Sequence, residues 1–254
     1  MNNKSFDSQR IAEGYAKRPW LHKDVIEQIK KDNNIIQLEN GLDVGCGAGL
    51  STKALRLLCN HVTGTDISPE MVEVCNKLYN GDSYSFYVAK AEETLMPDVP
   101  YDIITAAGVI NWVDKDAFLH NAESILEPGG LIVIYDFWIT DMMEDVPEYT
   151  KWYNDEYLQR FPKPFRKEYV WQQKDLGNTF QLLDQVLYQM TYDFSLSEFV
   201  DFMMIQSNVN EKIENGIMTA EEVRAWMTER LSNIFTGEKK TLIFSGYNWY
   251  IQKK

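Results

Sequence analysis

Glycines at alternate positions, followed one βα unit later by an acidic residue, form the pattern in this chain that is best suited to chemistry. The glycines are Gly45, Gly47 and Gly49, in the stretch GLDVGCGAGLST at 41–52, and the acidic residue is Asp66. Glycines let a backbone approach a ligand closely. A carboxylate at the end of the next strand can accept hydrogen bonds from both hydroxyls of a ribose. The pattern therefore indicates a site for a ligand that contains a nucleoside.

The spacing of the glycines distinguishes between two kinds of nucleoside ligand. A dinucleotide-binding loop reads GxGxxG, and its third glycine or alanine lets helix and strand pack closely. Here Leu50 takes that third position, and the glycines read GxGxG instead. We therefore expect an adenosyl ligand without phosphates. A nicotinamide-dependent oxidoreductase is the weaker alternative because of Leu50.

The segments around these residues alternate between short apolar runs and amphipathic stretches. Runs rich in β-branched and aromatic residues predict strands, and the stretches between them predict the crossover helices of a parallel sheet. The predicted strands are Leu42–Val44, Val62–Thr65, Tyr84–Val88, Tyr101–Thr105 and Leu131–Tyr135. Ligands of such sheets bind at the carboxyl ends of the strands, which is where the glycine loop follows the first strand.

Three helices are predicted in this part of the chain. The first carries one apolar stripe, formed by Leu21, Val25, Ile26 and Ile29. The second begins after Ser68, a good N-cap, with Pro69 at its first position. The third begins near Asp114 and stops at the sequence EPGG, where Pro128 and two glycines predict a turn.

We expect one domain with four parts. These are an N-terminal helical segment at 1–33, a ligand-binding core at 34–140, an inserted helical cap at 141–180 and a C-terminal part at 181–254 that completes the sheet. The cap is rich in aromatic residues, namely Tyr149, Trp152, Tyr153, Tyr157, Phe161, Phe165, Tyr169 and Trp171. At helical spacing, such residues are more typical of a core than of a substrate cage.

Composition and charge exclude several classes of partner. The formal net charge of −13 disfavours nucleic acid and anionic membrane surfaces, since both need a basic face. The N-terminal MNNKSFDSQR lacks the apolar core of a secretion signal, and no apolar run approaches the roughly 18 residues of a membrane span. Three cysteines and three histidines show no metal-ligand spacing. We therefore expect a cytoplasmic enzyme without a metal site.

Five segments, in order and correctly spaced, resemble the class I S-adenosylmethionine-dependent methyltransferases. They are LDVGCGAGLST, VTGTDISPEMVEVC, AKAEETLMPD, YDIITAAGVINWVD and ILEPGGLIVI, and the resemblance covers residues 10–140. The chain is most similar to the small-molecule branch that includes trans-aconitate methyltransferase, through YAKRP near the start and through the stretch that follows the fourth strand. The resemblance implies a doubly wound, Rossmann-like α/β fold. Its seven-stranded sheet is mostly parallel with an antiparallel last strand.

The resemblance also implies which residues hold S-adenosylmethionine. In the first motifs, Gly45 and Gly47 approach the methionine part, Asp66 binds the ribose and Ile67 packs on the adenine. The full set of implied cofactor-binding positions is Tyr15, Arg18, Gly45, Cys46, Gly47, Asp66, Ile67, Ala91, Glu92 and Ala107. Cys46 belongs to this set through its place in the loop and is assigned no reactivity of its own.

The other positions in that set have roles at the two ends of the cofactor. The resemblance implies that Tyr15 and Arg18 reach the methionine carboxylate and that the backbone N–H of Ala91 faces the adenine ring, with Glu92 beside it. Lys90 replaces an acidic residue that is often found in the family, so adenine N6 lacks an obvious carboxylate partner. The segment that begins at Ala107 passes under the sulfonium.

Asn111 and Trp112 are the candidates for the side that faces the methyl acceptor. Many relatives carry a histidine where Asn111 stands, but an amide does not titrate near neutral pH and can only orient or polarise. If the acceptor must lose a proton, the candidate bases are Tyr15, Tyr135 and Asp136. A carboxylate acceptor would need no base.

Two readings of function remain open. The first is methyl transfer by in-line displacement onto a small-molecule acceptor, whose reacting group is a carboxylate or a hydroxyl, in a monomer or homodimer. The second is a non-catalytic module that binds S-adenosylmethionine or S-adenosylhomocysteine for regulation. It is motivated by Lys90 and Asn111, which stand at positions where relatives carry residues better suited to chemistry.

Asp43 is predicted to be structural, with its carboxylate bonded to N–H groups of the loop. The basic residues Arg160, Lys163, Arg166 and Lys167 are interpreted as a solvated face rather than a carboxylate site.

Overall fold

The computed structural model describes residues 14–93, 99–163, 169–237 and 239–254. Within these ranges the chain forms a seven-stranded sheet with the strand order β3-β2-β1-β4-β5-β7-β6. The strands are β1 Leu38–Val44, β2 Cys59–Asp66, β3 Tyr84–Val88, β4 Tyr101–Ala107, β5 Leu126–Met143, β6 Phe180–Phe194 and β7 Lys240–Lys253. Each of the five strands predicted in the core lies inside one of the first five.

The first five strands form the parallel part of the sheet. β1 lies between β2 and β4, with Val44 opposite Thr65 on one side and Ala106 on the other. β5 pairs with β4 so that Ala107 lies opposite Tyr135. The carboxyl ends of these strands therefore meet at one edge, and the loops that follow them are neighbours.

The last two strands pair antiparallel. The backbone N–H of Glu144 donates to the carbonyl of Thr241, and Gln252 Nε2 donates to the carbonyl of Gly129, so β5 and β7 run in opposite directions. β7 is also antiparallel to β6, since Thr241, near the start of β7, donates to Asp193, near the end of β6. The prediction of a doubly wound, mostly parallel sheet with an antiparallel last strand is confirmed.

Helices alternate with the strands along the parallel part of the sheet. The α-helices are α1 His22–Asp32, α2 Leu50–Leu55, α3 Pro69–Leu78, α4 Lys115–Ile125, α5 Pro147–Trp152, α6 Leu158–Arg160, α7 Leu196–Met204, α8 Ser207–Glu214 and α9 Ala220–Leu231. Residues Tyr153–Tyr157 form a π-helical turn, and Ile110–Trp112 and Gln173–Leu176 form 3₁₀ turns. No helix among the described residues is long and apolar enough to cross a bilayer.

The predicted helix starts are confirmed in atomic detail. The hydroxyl of Ser68 accepts a hydrogen bond from the backbone N–H of Met71, and Pro69 occupies the first helical position of α3. Asp114 caps α4 by accepting from the N–H of Ala117 at 3.0 Å. These caps satisfy backbone donors that have no partner inside the helix.

The EPGG sequence forms a bulge inside β5 rather than a turn before it. Leu126 already pairs with Tyr101, whereas Leu131 pairs with Ile103, so residues 127–130 form an irregularity between the two pairs. Gly129 adopts a positive φ of 80° in this bulge. Helix α4 ends where the sequence predicts. Strand β5 begins at Leu126, five residues before the predicted start at Leu131, because the turn residues form a bulge within the strand.

The described residues fall into two compact units. The first, called the sheet unit here, contains residues 20–93, 99–137, 169–188 and 246–254, and the second, the helical unit, contains residues 14–19, 138–163, 189–237 and 239–245. Strands β5, β6 and β7 each contribute residues to both units. The segment 141–180, which the sequence predicts to be one inserted cap, is divided between the units.

Only part of the segment 141–180 is helical. β5 continues through its first residues to Met143, and the helical turns among its described residues lie at 147–160 and at 173–176. The aromatic residues of these turns are buried and contact one another, among them Tyr149, Trp152, Tyr153, Tyr157 and Phe161. They form a core of the helical unit, as the interpretation of their spacing expects, and Phe165 lies outside the described residues.

Candidate functional site

The glycine loop begins directly after β1, in the sheet unit. Gly45 and Gly47 have φ values of +65° and +53°, in the left-handed region that side chains disfavour. A Cβ on Gly45 would lie 2.5 Å from a methyl carbon of Val109, whereas a Cβ on Gly47 would meet no atom within 4 Å. The loop is therefore packed against the residues after β4 at one glycine and open at the other.

Hydrogen bonds to the neighbouring strand fix the course of this loop. The backbone N–H of Cys46 donates to the carbonyl of Thr65, and the N–H of Gly49 donates to the carbonyl of Cys46. The side chain of Cys46 is buried in a cluster with Cys75 and Phe86. A hydrogen bond with the Cys75 thiol and burial raise the pKa of Cys46 well above its usual value, so this thiol is not poised to react.

Asp66 connects the glycine loop to the start of α3. One carboxylate oxygen accepts the N–H of Gly47 at 2.9 Å, and the other accepts the N–H of Ser68 at 2.9 Å. Both contacts fix the carboxylate at the carboxyl end of β2. The next residue, Ile67, exposes 51% of its surface. The structure thus brings together five predicted positions, namely Gly45, Cys46, Gly47, Asp66 and Ile67.

Asp43 lies beneath the loop and is fully buried. Its carboxylate accepts hydrogen bonds from the hydroxyls of Ser51 at 2.6 Å, Thr52 at 2.7 Å and Thr105 at 2.8 Å. The role is structural, as the sequence predicts, but the prediction of loop N–H groups as partners is wrong. The chain supplies hydroxyl donors because Ser51 and Thr52 lie in the first turn of α2 and Thr105 lies opposite Asp43 on β4.

A pH-dependent stability is expected from Asp43. Burial raises its pKa from 3.8 to about 6 in the folded state, against the opposing effect of the three hydroxyls. The folded chain therefore holds a proton that the unfolded chain releases between about pH 4 and pH 6. The contribution of Asp43 to the free energy of unfolding should fall by about 3 kcal/mol as the pH rises through this window, and it should stay level above it.

Urea unfolding at several pH values measures this dependence. Asp43→Asn removes the titrating group and keeps a side chain of the same shape, so the difference between the two curves isolates Asp43. A difference that stays constant from pH 4 to pH 7 would contradict the prediction.

The segment after β3 places Ala91 and Glu92 against α4. Ala91 is buried, and Asn121 Nδ2 donates to its carbonyl at 3.4 Å. The carboxylate of Glu92 accepts the backbone N–H of Asp114 at 2.8 Å. Glu92 therefore connects the segment after β3 with the start of α4.

The residues after β4 form the other side of the site. The N–H of Gly108 donates to the carbonyl of Tyr135 at 2.8 Å, which ties this segment to the end of the parallel part of β5. Asn111 and Trp112 lie in the 3₁₀ turn that follows, and both are exposed, Trp112 to 46%. The two candidates for the acceptor side are thus available at the carboxyl edge of the sheet.

Tyr135 and Asp136 follow on β5. The Tyr135 hydroxyl lies 2.9 Å from His22 Nδ1, and burial raises its pKa well above the usual value of a phenol. A phenol with a raised pKa is a poor base at neutral pH. The carboxylate of Asp136 accepts the N–H of Phe137 and lies 3.3 Å from the position that a Cβ on Gly108 would take.

Two residues at this edge were not found by sequence reasoning. Trp20 donates its indole N–H to the carbonyl of Leu50 at 3.0 Å, with the ammonium of Lys53 4.1 Å from its ring centroid. His22, at the start of α1, contacts Tyr135. Trp20 and Leu50, and likewise His22 and Tyr135, lie far apart in sequence, so local patterns do not pair them. The one sequence signal for this contact is the WLH triplet, which places two polar aromatic side chains at the start of an amphipathic helix.

Tyr15 and Arg18 belong to the helical unit. The Arg18 guanidinium lies 3.6 Å from the Tyr15 ring centroid and donates to the carbonyl of Ile205 at 2.9 Å. Arg18 Nε is buried without a hydrogen-bond acceptor among the described residues. Their contact with a cofactor stays a prediction. Of the basic residues interpreted as a solvated face, Arg166 and Lys167 lie outside the described residues.

Residues 42–134 match the family described as "Methyltransferase domain". This range contains the glycine loop, Asp66 and the segments after β3 and β4. It forms a class I S-adenosylmethionine-dependent methyltransferase domain. The cofactor of this family is S-adenosylmethionine.

Curated relatives of the methyltransferase domain include two O-methyltransferases. The chain is 28% identical over 125 residues to malonyl-[acyl-carrier protein] O-methyltransferase of Serratia marcescens, which is 49% of this chain and 48% of that protein. It is 32% identical over 97 residues to ubiquinone biosynthesis O-methyltransferase of Xylella fastidiosa, which is 37% of this chain and 39% of that protein. The chain thus matches half or less of the length of these relatives.

The fold of nearly the whole chain, not only of residues 42–134, also occurs among solved structures. A proposed type II methyltransferase of Anaeromyxobacter dehalogenans superimposes with a TM-score of 0.69, covering 91% of this chain and 95% of the other. The two sequences are 17% identical. This likeness shows a common fold, and function must be argued from the site.

Proposed function

We propose that this protein binds S-adenosylmethionine in the sheet unit and transfers its methyl group to a small-molecule acceptor. The observation that carries the proposal is the carboxylate of Asp66, held between the N–H groups of Gly47 and Ser68 beside an open glycine loop. The match of residues 42–134 to the methyltransferase domain family supports it.

The described residues fit this cofactor in three respects. A Cβ on Gly47 would meet no atom within 4 Å, so the backbone is accessible at that position. A carboxylate has about four lone-pair sites, so an oxygen of Asp66 that accepts an amide proton can also accept a ribose hydroxyl. Ile67 presents an apolar surface beside that carboxylate, which suits an adenine ring.

When bound, S-adenosylmethionine supplies an electrophilic methyl group on a sulfonium. The chain contributes position rather than covalent chemistry: Asp66 and Gly47 orient the donor, and Asn111 and Trp112 face the acceptor. Correct orientation of two reactants alone can lower a barrier by roughly 7 to 11 kcal/mol. The raised pKa of Tyr135 keeps its phenol neutral, so we assign no proton transfer to it.

An oxygen nucleophile is the acceptor class that we propose. A carboxylate attacks without losing a proton, so it suits a site in which Asn111 cannot serve as a base. Both curated relatives described above are named as O-methyltransferases. A hydroxyl acceptor would instead require a base, for which Asp136 is the remaining candidate of the sheet unit.

Incubation of the protein with methyl-labelled S-adenosylmethionine and a metabolite extract tests the proposal. We expect label in a small molecule that is recovered by mass spectrometry, and no label with Asp66→Ala. Base-labile product would identify a methyl ester and hence a carboxylate acceptor. Cofactor binding without labelling in any extract would contradict methyl transfer and favour a regulatory module.

A further inference from the structure

Gly47 is held at both of its backbone polar groups. Its N–H donates to Asp66, and its carbonyl oxygen lies 3.2 Å from the Sγ atom of Cys75 on α3. Sulfur hydrogen bonds are long and weak, but this thiol is fully buried, so water does not compete for it. The carbonyl also lies 3.7 Å from the Sγ of Cys46, a longer contact.

The packing of α3 makes this contact a fixed part of the loop. Cys75 Sγ lies 3.1 Å from the position that a Cβ on Gly49 would take, and Tyr79 lies even closer to that position. The cluster of Cys46, Val72, Cys75 and Phe86 buries the thiol from the other sides. Helix α3 therefore contacts the glycine loop through the Cys75 side chain.

We propose that Cys75 is a positioning residue for the cofactor, acting through the carbonyl of Gly47. Glycine loses more conformational freedom on ordering than any other residue. A hydrogen bond that fixes Gly47 before the cofactor arrives lowers the entropy lost on binding. Cys75 thus holds the loop in the shape that binds, although its buried side chain does not touch the cofactor. This inference rests on the proposed function, since it requires that the loop binds S-adenosylmethionine.

Calorimetric titration of this 254-residue chain with S-adenosylmethionine and S-adenosylhomocysteine tests the inference. Loss of one neutral hydrogen bond predicts a Kd about two- to tenfold higher for Cys75→Ala. Cys75→Ser retains a donor and should lie closer to the wild type than to Cys75→Ala. Cys59→Ala is the matched control, because it removes a buried thiol at the start of β2, whereas Asp66 and the glycine loop lie at the other end of that strand.

The outcomes distinguish positioning from packing. A Cys75→Ala affinity equal to wild type overturns the inference, as does an equal loss in Cys59→Ala or in Cys75→Ser. Failure of the wild-type chain to bind either compound overturns the proposed function together with this inference. Binding by the wild type with no effect of Cys75→Ala overturns the inference alone.

An infrared measurement on the wild-type chain covers the case in which Cys75→Ala does not fold. The S–H stretching band of a thiol moves to lower frequency when the thiol donates a hydrogen bond. We expect a lowered band for Cys75, identified by its absence in Cys75→Ser. A band at the frequency of a non-bonded thiol would overturn the inference.

Discussion

Asp66→Ala is expected to raise the Kd for S-adenosylmethionine by about a hundredfold or more, since each hydrogen bond to a charged group contributes about 1.5 to 3 kcal/mol. Two such bonds to the ribose would be lost. The N–H groups of Gly47 and Ser68 would lose their acceptor as well, so the loop itself would be less ordered. Isothermal titration at neutral pH measures the effect.

Asp102 provides a matched control for the structural part of this effect. Its carboxylate accepts the backbone N–H groups of Glu39 and Asn40, at 2.9 and 2.8 Å, near the amino end of β1. Asp102→Ala therefore removes the same kind of contact at the edge of the sheet remote from the site. We expect lower thermal stability but unchanged affinity. An equal loss of affinity in both variants would show that Asp66 acts through stability alone.

Gly45→Ala is expected to destabilise the fold strongly. The left-handed conformation costs a non-glycine residue roughly 1 to 2 kcal/mol, and the added methyl would lie 2.5 Å from a methyl carbon of Val109. Val109 is β-branched and has little rotamer freedom with which to move away. Urea unfolding should show a loss of at least about 2 kcal/mol.

Two further variants separate the clash from the backbone strain. Gly45→Ala combined with Val109→Gly should recover part of the loss, because the Cβ of Val109, 2.8 Å from the added methyl, is then absent together with its two methyls. Gly47→Ala carries the same backbone strain without a clash, so we expect a smaller loss of stability. Its methyl would nevertheless occupy space at the binding surface and weaken cofactor affinity. Equal stabilities of Gly45→Ala and Gly47→Ala would contradict the proposed packing at Gly45.

Local patterns were sufficient to predict the core of the fold. Ser68 and Pro69 mark the start of α3 because capping depends on neighbouring residues, and the same holds for Asp114 at α4. The alternation of apolar runs and helices required a parallel sheet, which brings Gly47 and Asp66 to one edge. The prediction of their proximity followed from that topology.

Contacts between distant side chains could not be predicted in this way. The hydroxyl of Tyr135 meets His22, and the carboxylate of Glu92 meets the N–H of Asp114, although nothing in the local sequence pairs them. The sequence predicts the wrong donors for Asp43 for the same reason, since its hydroxyl partners depend on how α2 and β4 pack against β1. Periodicity predicts which face of an element is buried but not which atom it meets.

The length of β5 inside the segment predicted to be the cap depends on a contact that local patterns do not contain. β5 continues to Met143, beyond the residues that face the parallel core, because its antiparallel partner β7 extends alongside it. Aromatic residues at helical spacing identified the buried turns of 147–160 but carried no information about strand length. Strand length depends on the partner strand, which lies almost a hundred residues later in the sequence.

The bulge in β5 has a consequence for how this chain can change in length. Leu126 and Leu131 pair with Tyr101 and Ile103, so four residues on one strand face a single residue on the other. From Leu131 onward the register is regular up to Tyr135, which lies beside the site. Insertions or deletions within the bulge would therefore change the number of residues between α4 and Tyr135 without displacing that residue. Alignments of this protein with its relatives should place gaps here rather than within the strand itself.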